Sequence, residues 1–210
     1  MREDDDLAVY YAPVNWCNPE ARLALIGVTP GFTQMELAFR IARRELLAGA
    51  DPETACRHAK AAAAFGGPLR QNLVQMLDEL GLRAALGYSG AALFGEARHL
   101  VHATSAVCYP AFVGGENYTG SRPRLVRSPF LMNYARKHLA PELSSLPDAV
   151  YLPLGRAVEE VLRALELEGH LPRGRVLYGF PHPSGANGHR QHQLNKVRGR
   201  LAQQLAAAFK

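Results

Sequence analysis

The chain has 210 residues, 48% of them apolar and 20% charged, enough to bury a sizeable core and too apolar for a disordered chain. Three cysteines (Cys17, Cys56, Cys108) without a CxxC pair exclude a disulfide scaffold and the usual thiolate metal site, and no apolar run nears the ~20 residues that span a bilayer. The net charge of +5 is unevenly spread: residues 169–210 hold seven basic side chains and 117–140 hold five, with no Asp or Glu in either stretch, so a polyanion is the expected partner. The acidic start MREDDD is opposite in sign to a signal peptide, and a cytoplasmic location is expected.

Residues 22–28 (RLALIGV) predict a buried strand stopped by Thr29-Pro30-Gly31. Apolar positions at helical spacing follow over 34–47, then Gly49 and Asp51-Pro52 end that helix and start another over about 52–64. After the break at Gly66-Gly67-Pro68, Leu69, Leu73, Met76, Leu77 and Leu80 mark a third helix ending at Gly81. A second strand is expected over 100–107, a long loop over 114–128 and a helix over about 130–139. The remaining expectations are a strand over 149–152, a helix over 156–167, a last strand over 175–180 (RVLYGF) and a closing helix over about 191–209. Four strands separated by helices predict a mostly parallel sheet covered on both faces, in one domain of 210 residues.

Ligands of such sheets gather at the carboxyl ends of the strands. Three strands here end in unusual turns: GVTPG (27–31), ATSAVCYP (103–110) and FPHPSGANGHR (180–190). The first offers backbone N–H groups near a helix start, suited to a phosphate, a water or a base edge. In the third, Pro181 and Pro183 restrict His182, whose neutral imidazole could stabilise negative charge developing on a leaving group.

Taken together, GVTPG, Phe65 with the following GxxLxxxLxxxLGL, TSAV, LPLGRA and HPSG resemble, in that order, the motifs of the uracil-DNA glycosylase superfamily over about 22–205. The resemblance implies a three-layer α/β/α sandwich with a central four-stranded parallel sheet and cofactor-free hydrolysis of the N-glycosidic bond of a flipped nucleotide; the two helices at about 34–64 depart from it as a helical insertion where cluster-containing members have a short loop. The four cysteines of the cluster-containing members are absent, so no iron–sulfur cluster is expected. By position, His182 matches the histidine that binds the pyrimidine O2 and steadies the departing base. Ser184 matches a phosphate contact, and 185–190 matches the loop that enters the duplex, with Asn187, His189 or Arg190 as wedge. Phe65 resembles the aromatic that stacks on the base, a contact of roughly 1–3 kcal/mol. Ser105 stands where many members carry an Asn that reads the base edge. The first motif has Val28 and Thr29 where active members carry Asp, Asn or Glu, leaving Thr29 to place water with a carboxylate from Glu116 or Glu36 nearby, and Gln34 as a further candidate. Val28 joins Phe65 and Ser105 in the base pocket, and Arg122, Arg124, Arg190, Lys196 and Arg198 are the expected phosphate contacts.

The expected activity is release of a modified pyrimidine, a hypermodified cytosine or uracil, from single- or double-stranded DNA, in repair or in defence against viral DNA. A catalytically weak protein that binds modified or abasic DNA is the alternative. A small-molecule α/β hydrolase is disfavoured by the lack of a GxSxG elbow.

Overall fold

The structure is a computed structural model that describes the backbone of residues 2–4 and all of 6–209; Lys210 and part of the acidic start lie outside the described residues. In chain order the elements are strands β1 (Arg2–Asp4), β2 (Leu7–Val9) and β3 (Leu23–Gly27) and helices α1 (Phe32–Leu47), α2 (Pro52–Ala63), α3 (Pro68–Glu79) and α4 (Leu82–Leu86). Strands β4 (Val101–Ser105), β5 (Ala111–Val113) and β6 (Glu116–Asn117) precede helix α5 (Pro129–Tyr134), a π-helical turn (Ala135–Leu139) and α6 (Ala140–Ser144). Strand β7 (Val150–Pro153) and helices α7 (Arg156–Leu167) and α8 (Arg190–Ala208) complete the chain.

The protein is α/β, with a three-stranded parallel sheet in the order β4-β3-β7. Central β3 is buried at all five residues, as a strand covered on both faces must be. Leu23 and Leu25 point into a core with α3, α4 and α8, while Ala24 and Ile26 point into a core with α5, α6 and α7. Helices therefore cover both faces.

The fourth expected strand, 175–180, is reduced to one parallel bridge, Tyr151↔Val176. Tyr151 N–H donates to Arg175 O at 2.7 Å and Leu177 N–H to Tyr151 O at 2.8 Å, but pairing then stops. Beyond Leu177, Tyr178 O is taken by Arg200 of α8 at 2.8 Å and Gly179 N–H by Glu159 of α7 at 2.8 Å. Side chains from two helices thus occupy the groups a ladder would have used.

A second, antiparallel sheet, of order β1-β2-β5-β6, lies apart from the four strands expected from the sequence. Its β5–β6 hairpin corrects the long loop expected from 114: Gly114 and Gly115, both at positive φ, make the two-residue turn such a hairpin requires. The two helices expected between 34 and 64 form as α1 and α2, which meet along the alanines Ala38, Ala42, Ala59 and Ala63. Asp51 caps α2 by accepting Thr54 N–H at 2.9 Å.

The helix expected to end at 139 runs on. A π turn, with Ala140 N–H bonded to Ala135 O, carries the chain past Pro141, whose missing N–H would otherwise interrupt an α-helical ladder. This extension delivers Glu142 to the site.

Candidate active site

A cavity of about 780 Å³ opens at the carboxyl ends of β3 and β4. Its wall includes Val28 and Thr29 from the turn after β3, Phe65 from the α2–α3 connection, Ser105 at the end of β4, and His182 and Ser184 from the 180–190 turn. Six residues singled out in the sequence thus meet in one place.

His182 is held from both sides. Its Nδ1 accepts the backbone N–H of Ser184 at 3.2 Å, which puts the proton of the neutral ring on Nε2. Burial pushes its pKa below the ordinary value, keeping it neutral. Gly155, the glycine of LPLG, lies against it: a Cβ there would stand 2.8 Å from His182 Cβ. The neighbouring backbone is fixed by Asn72, whose amide donates to Pro183 O at 2.8 Å. The result is a preoriented, uncharged N–H donor, the kind of group that stabilises a developing anion.

Phe65 is buried and has φ +47, a left-handed conformation costing a non-glycine residue about 1–3 kcal/mol. Gly66 and Gly67 follow it. Its ring edge lies where a Cβ on Gly27 would approach to 3.1 Å, with Ser105 Oγ at 3.5 Å from the same point. Gly27 therefore leaves the space in which Phe65 and Ser105 face the cavity together.

Other expectations need correction. Thr29 Oγ1 donates to Tyr109 O at 2.7 Å and accepts Ala111 N–H at 3.0 Å. It pins the β4–β5 connection to the β3 turn and keeps only one lone pair for a water. Glu116 is exposed on β6 and does not line the cavity; its neighbour Asn117 does. Glu36 is an exposed ion-pair partner of Arg40, and Gln34, which lines the cavity, spends its Oε1 on Gly31 N–H at 2.6 Å.

The carboxylate within the cavity is Glu142. Its Oε1 accepts from Lys60 Nζ and from His102 Nε2, both at 2.8 Å, and its Oε2 accepts from Thr104 at 2.7 Å. Burial alone would raise its pKa, but the Lys60 ammonium and the His102 ring overrule it and hold the carboxyl at about 2. His102 is neutral: burial and the Lys60 charge push its pKa down, and its Nδ1 accepts Asn18 N–H at 3.3 Å. Cys108, beside this network, has its thiol pushed up to about 12 by burial and by Glu142, which makes it a poor nucleophile at neutral pH. The signal for this network lay in β4, where polar His102 and Thr104 alternate with Val101, Ala103 and Ser105 and so share one face of a buried strand.

The expected DNA contacts divide. Asn187 is part of the loop's own scaffold, its amide donating to His182 O at 3.1 Å and Gln193 Oε1 at 2.9 Å. Arg190 binds Asn72 Oδ1 at 3.2 Å, and His189 is exposed ahead of α8. Arg124 forks onto Glu160. Arg122, Lys196 and Arg198 are exposed and carry no acidic partner among the described residues. None of these seven residues lines the cavity.

No three His, Cys, Asp or Glu among the described residues are grouped as a metal site would require, the three cysteines are free thiols, and no described helix is long and apolar enough to cross a membrane.

An α/β chain with a polar-floored cavity at its strand ends is the class of protein these observations define. It belongs to the family of YoxB from Bacillus subtilis (strain 168), described as an uncharacterized protein: the two are 43% identical over 208 residues, 98% of this chain and 81% of YoxB. No protein-family model matches the chain, and no solved structure matches it.

Proposed function

We propose that the protein is a DNA glycosylase that takes a modified pyrimidine into this cavity and hydrolyses its N-glycosidic bond, leaving an abasic site. The observation that carries this reading is the meeting of His182, fixed as a neutral Nε2–H donor, with Phe65 and Ser105 in one cavity. In this account the extruded base stacks on Phe65 and is met by Ser105, while His182 donates to the departing base anion as the C1′–N bond breaks. Water adds to the sugar carbon and loses its proton to solvent or to the base. Glu142 is ionised but its charge is matched by Lys60 at 2.8 Å, so the larger share of stabilisation falls to His182.

The cavity supports a substrate larger than plain uracil. At about 780 Å³ it lies within the roughly 300–1,000 Å³ of pockets that hold drug-sized ligands, and a bare pyrimidine would leave much of it unfilled. Hypermodified cytosine fits that size; uracil is the smaller member of the same series. We read the architecture as an α/β/α sandwich with 175–177 in the place of a fourth strand, and the protein as acting on DNA in the cytoplasm, in repair or in defence against viral DNA.

Release of base from oligonucleotides containing uracil, hydroxymethylcytosine or its glucosylated form, read as alkali-labile breaks, tests this reading. Breaks on at least one substrate, lost in His182→Ala, are expected. A second reading is favoured by one observation: Thr29 spends its proton on Tyr109 O, Glu116 lies outside the cavity and Glu142 is paired with Lys60, so among the described residues no unpaired carboxylate lines the cavity. In that case the protein binds modified or abasic DNA tightly without turnover.

A further inference from the structure

A row of aromatic rings leads from the cavity to the surface. Tyr109 and His138 line the cavity with ring centroids 5.6 Å apart. Tyr109 then meets Tyr11 at 5.7 Å, and Tyr11 meets Phe39 of α1 at 6.4 Å. The outer rings of the row are exposed, Tyr11 at 51% and Phe39 at 46% accessibility. Basic groups lie beside it. Lys137 is exposed on the cavity wall, and Arg43 sits one helical turn beyond Phe39 on the same face of α1; neither has an acidic partner among the described residues. Exposed rings interleaved with unpaired cations suit a nucleic-acid strand whose bases are unpaired, because every base has a face to stack and every phosphate a charge to neutralise.

A second observation comes from the opposite turn. The segment expected to pry a duplex apart carries only Gly185, Ala186 and Gly188 between its polar residues, and Asn187 and Arg190 are tied into the turn itself. Extruding a base from a duplex costs a few kcal/mol, and least when the strand is already single. This turn has no large apolar side chain to offset that cost.

We infer that the preferred partner is single-stranded DNA, with bases flanking the extruded nucleotide stacked on Tyr11 and Phe39 and phosphates held by Lys137 and Arg43. The inference rests on the glycosylase reading for the cavity, but the platform binds whether or not a base is released.

Fluorescence anisotropy with a labelled, unmodified oligonucleotide of about 15 nucleotides, single-stranded and as duplex, tests it. The wild-type protein is expected to bind the single strand more tightly. Tyr11→Ala and Phe39→Ala each weaken that binding about 5- to 100-fold, with duplex binding unchanged, whereas Tyr11→Phe retains it. Lys137→Ala lowers the salt slope by about 0.7. Both aromatic positions are surface-exposed, and equal melting temperatures of the variants establish that the fold is kept. Duplex binding as tight as single-strand binding would overturn the inference, as would single-strand binding unchanged in both alanine variants, or a dimer in solution that those variants dissociate. Platform-dependent binding without base release from any substrate would sink the glycosylase reading alone; base release with binding indifferent to Tyr11 and Phe39 would sink the platform alone.

Discussion

Replacing Gly155 by alanine tests whether the LPLG turn positions His182. Gly155 has φ +91 and ψ 168, and its N–H holds the neighbouring turn through Phe180 O at 3.0 Å. A side chain at this φ costs about 1–3 kcal/mol in backbone strain. The added Cβ would also stand 2.8 Å from His182 Cβ, where ordinary contact begins at 3.4 Å, so the histidine must retreat by roughly 0.6 Å, a displacement of the order that costs ten- to a hundredfold in rate. Gly169 supplies the control: it has φ +77 but nothing within 4 Å of a Cβ, so Gly169→Ala carries strain without the collision. Thermal unfolding and base-release assays on both variants are expected to show both melting about 2–12 °C lower, with release reduced only in Gly155→Ala. Wild-type release in Gly155→Ala, or an equal loss in Gly169→Ala, would refute the reasoning.

Glu142→Gln leaves Lys60, 10% exposed, without its counter-charge and is expected to destabilise the protein by about 3–5 kcal/mol in urea unfolding. The same network predicts a pH profile: Glu142, held at about 2, contributes its stabilisation above the unfolded carboxyl value near 4.5 and loses about 3 kcal/mol as pH falls toward 2. A separate decline begins near pH 6.5 in the wild type, because His102 and His182 stay neutral in the fold and gain protons more readily when unfolded; denaturant midpoints against pH read both, and the acid limb is shallower in Glu142→Gln. Glu160→Gln releases Arg124, 43% exposed, and is expected to change stability by less than ~1 kcal/mol while steepening the salt dependence of DNA binding by roughly one phosphate contact. An unaltered salt slope would remove Arg124 from the interface.

Much of the fold is legible because its signals are local. The apolar run 23–28, closed by Thr-Pro-Gly, reads as β3, and α7 begins and ends where its periodicity does, at Arg156 and Leu167. The antiparallel sheet is not legible in the same way: strands of two or three residues show no period, and pairs such as Leu7↔Val113 join distant segments. RVLYGF has the composition of a strand, yet Arg200 and Glu159 take its backbone groups, a tertiary event no local pattern records. The site divides along the same line. His182, Phe65 and Ser105 announce themselves through turns and strand ends, whereas Glu142 sits in a helix expected to have stopped and meets Lys60 and His102 across 82 and 40 residues.

The most direct test of the account is base release from modified oligonucleotides by the wild-type protein and by His182→Ala, compared at equal DNA binding. The account predicts alkali-labile breaks with at least one modified pyrimidine and a loss of about a hundredfold or more in the variant, as for removal of a principal charge-stabilising donor. Salt-sensitive DNA binding with no breaks on any substrate, or breaks that persist undiminished in His182→Ala, would contradict it.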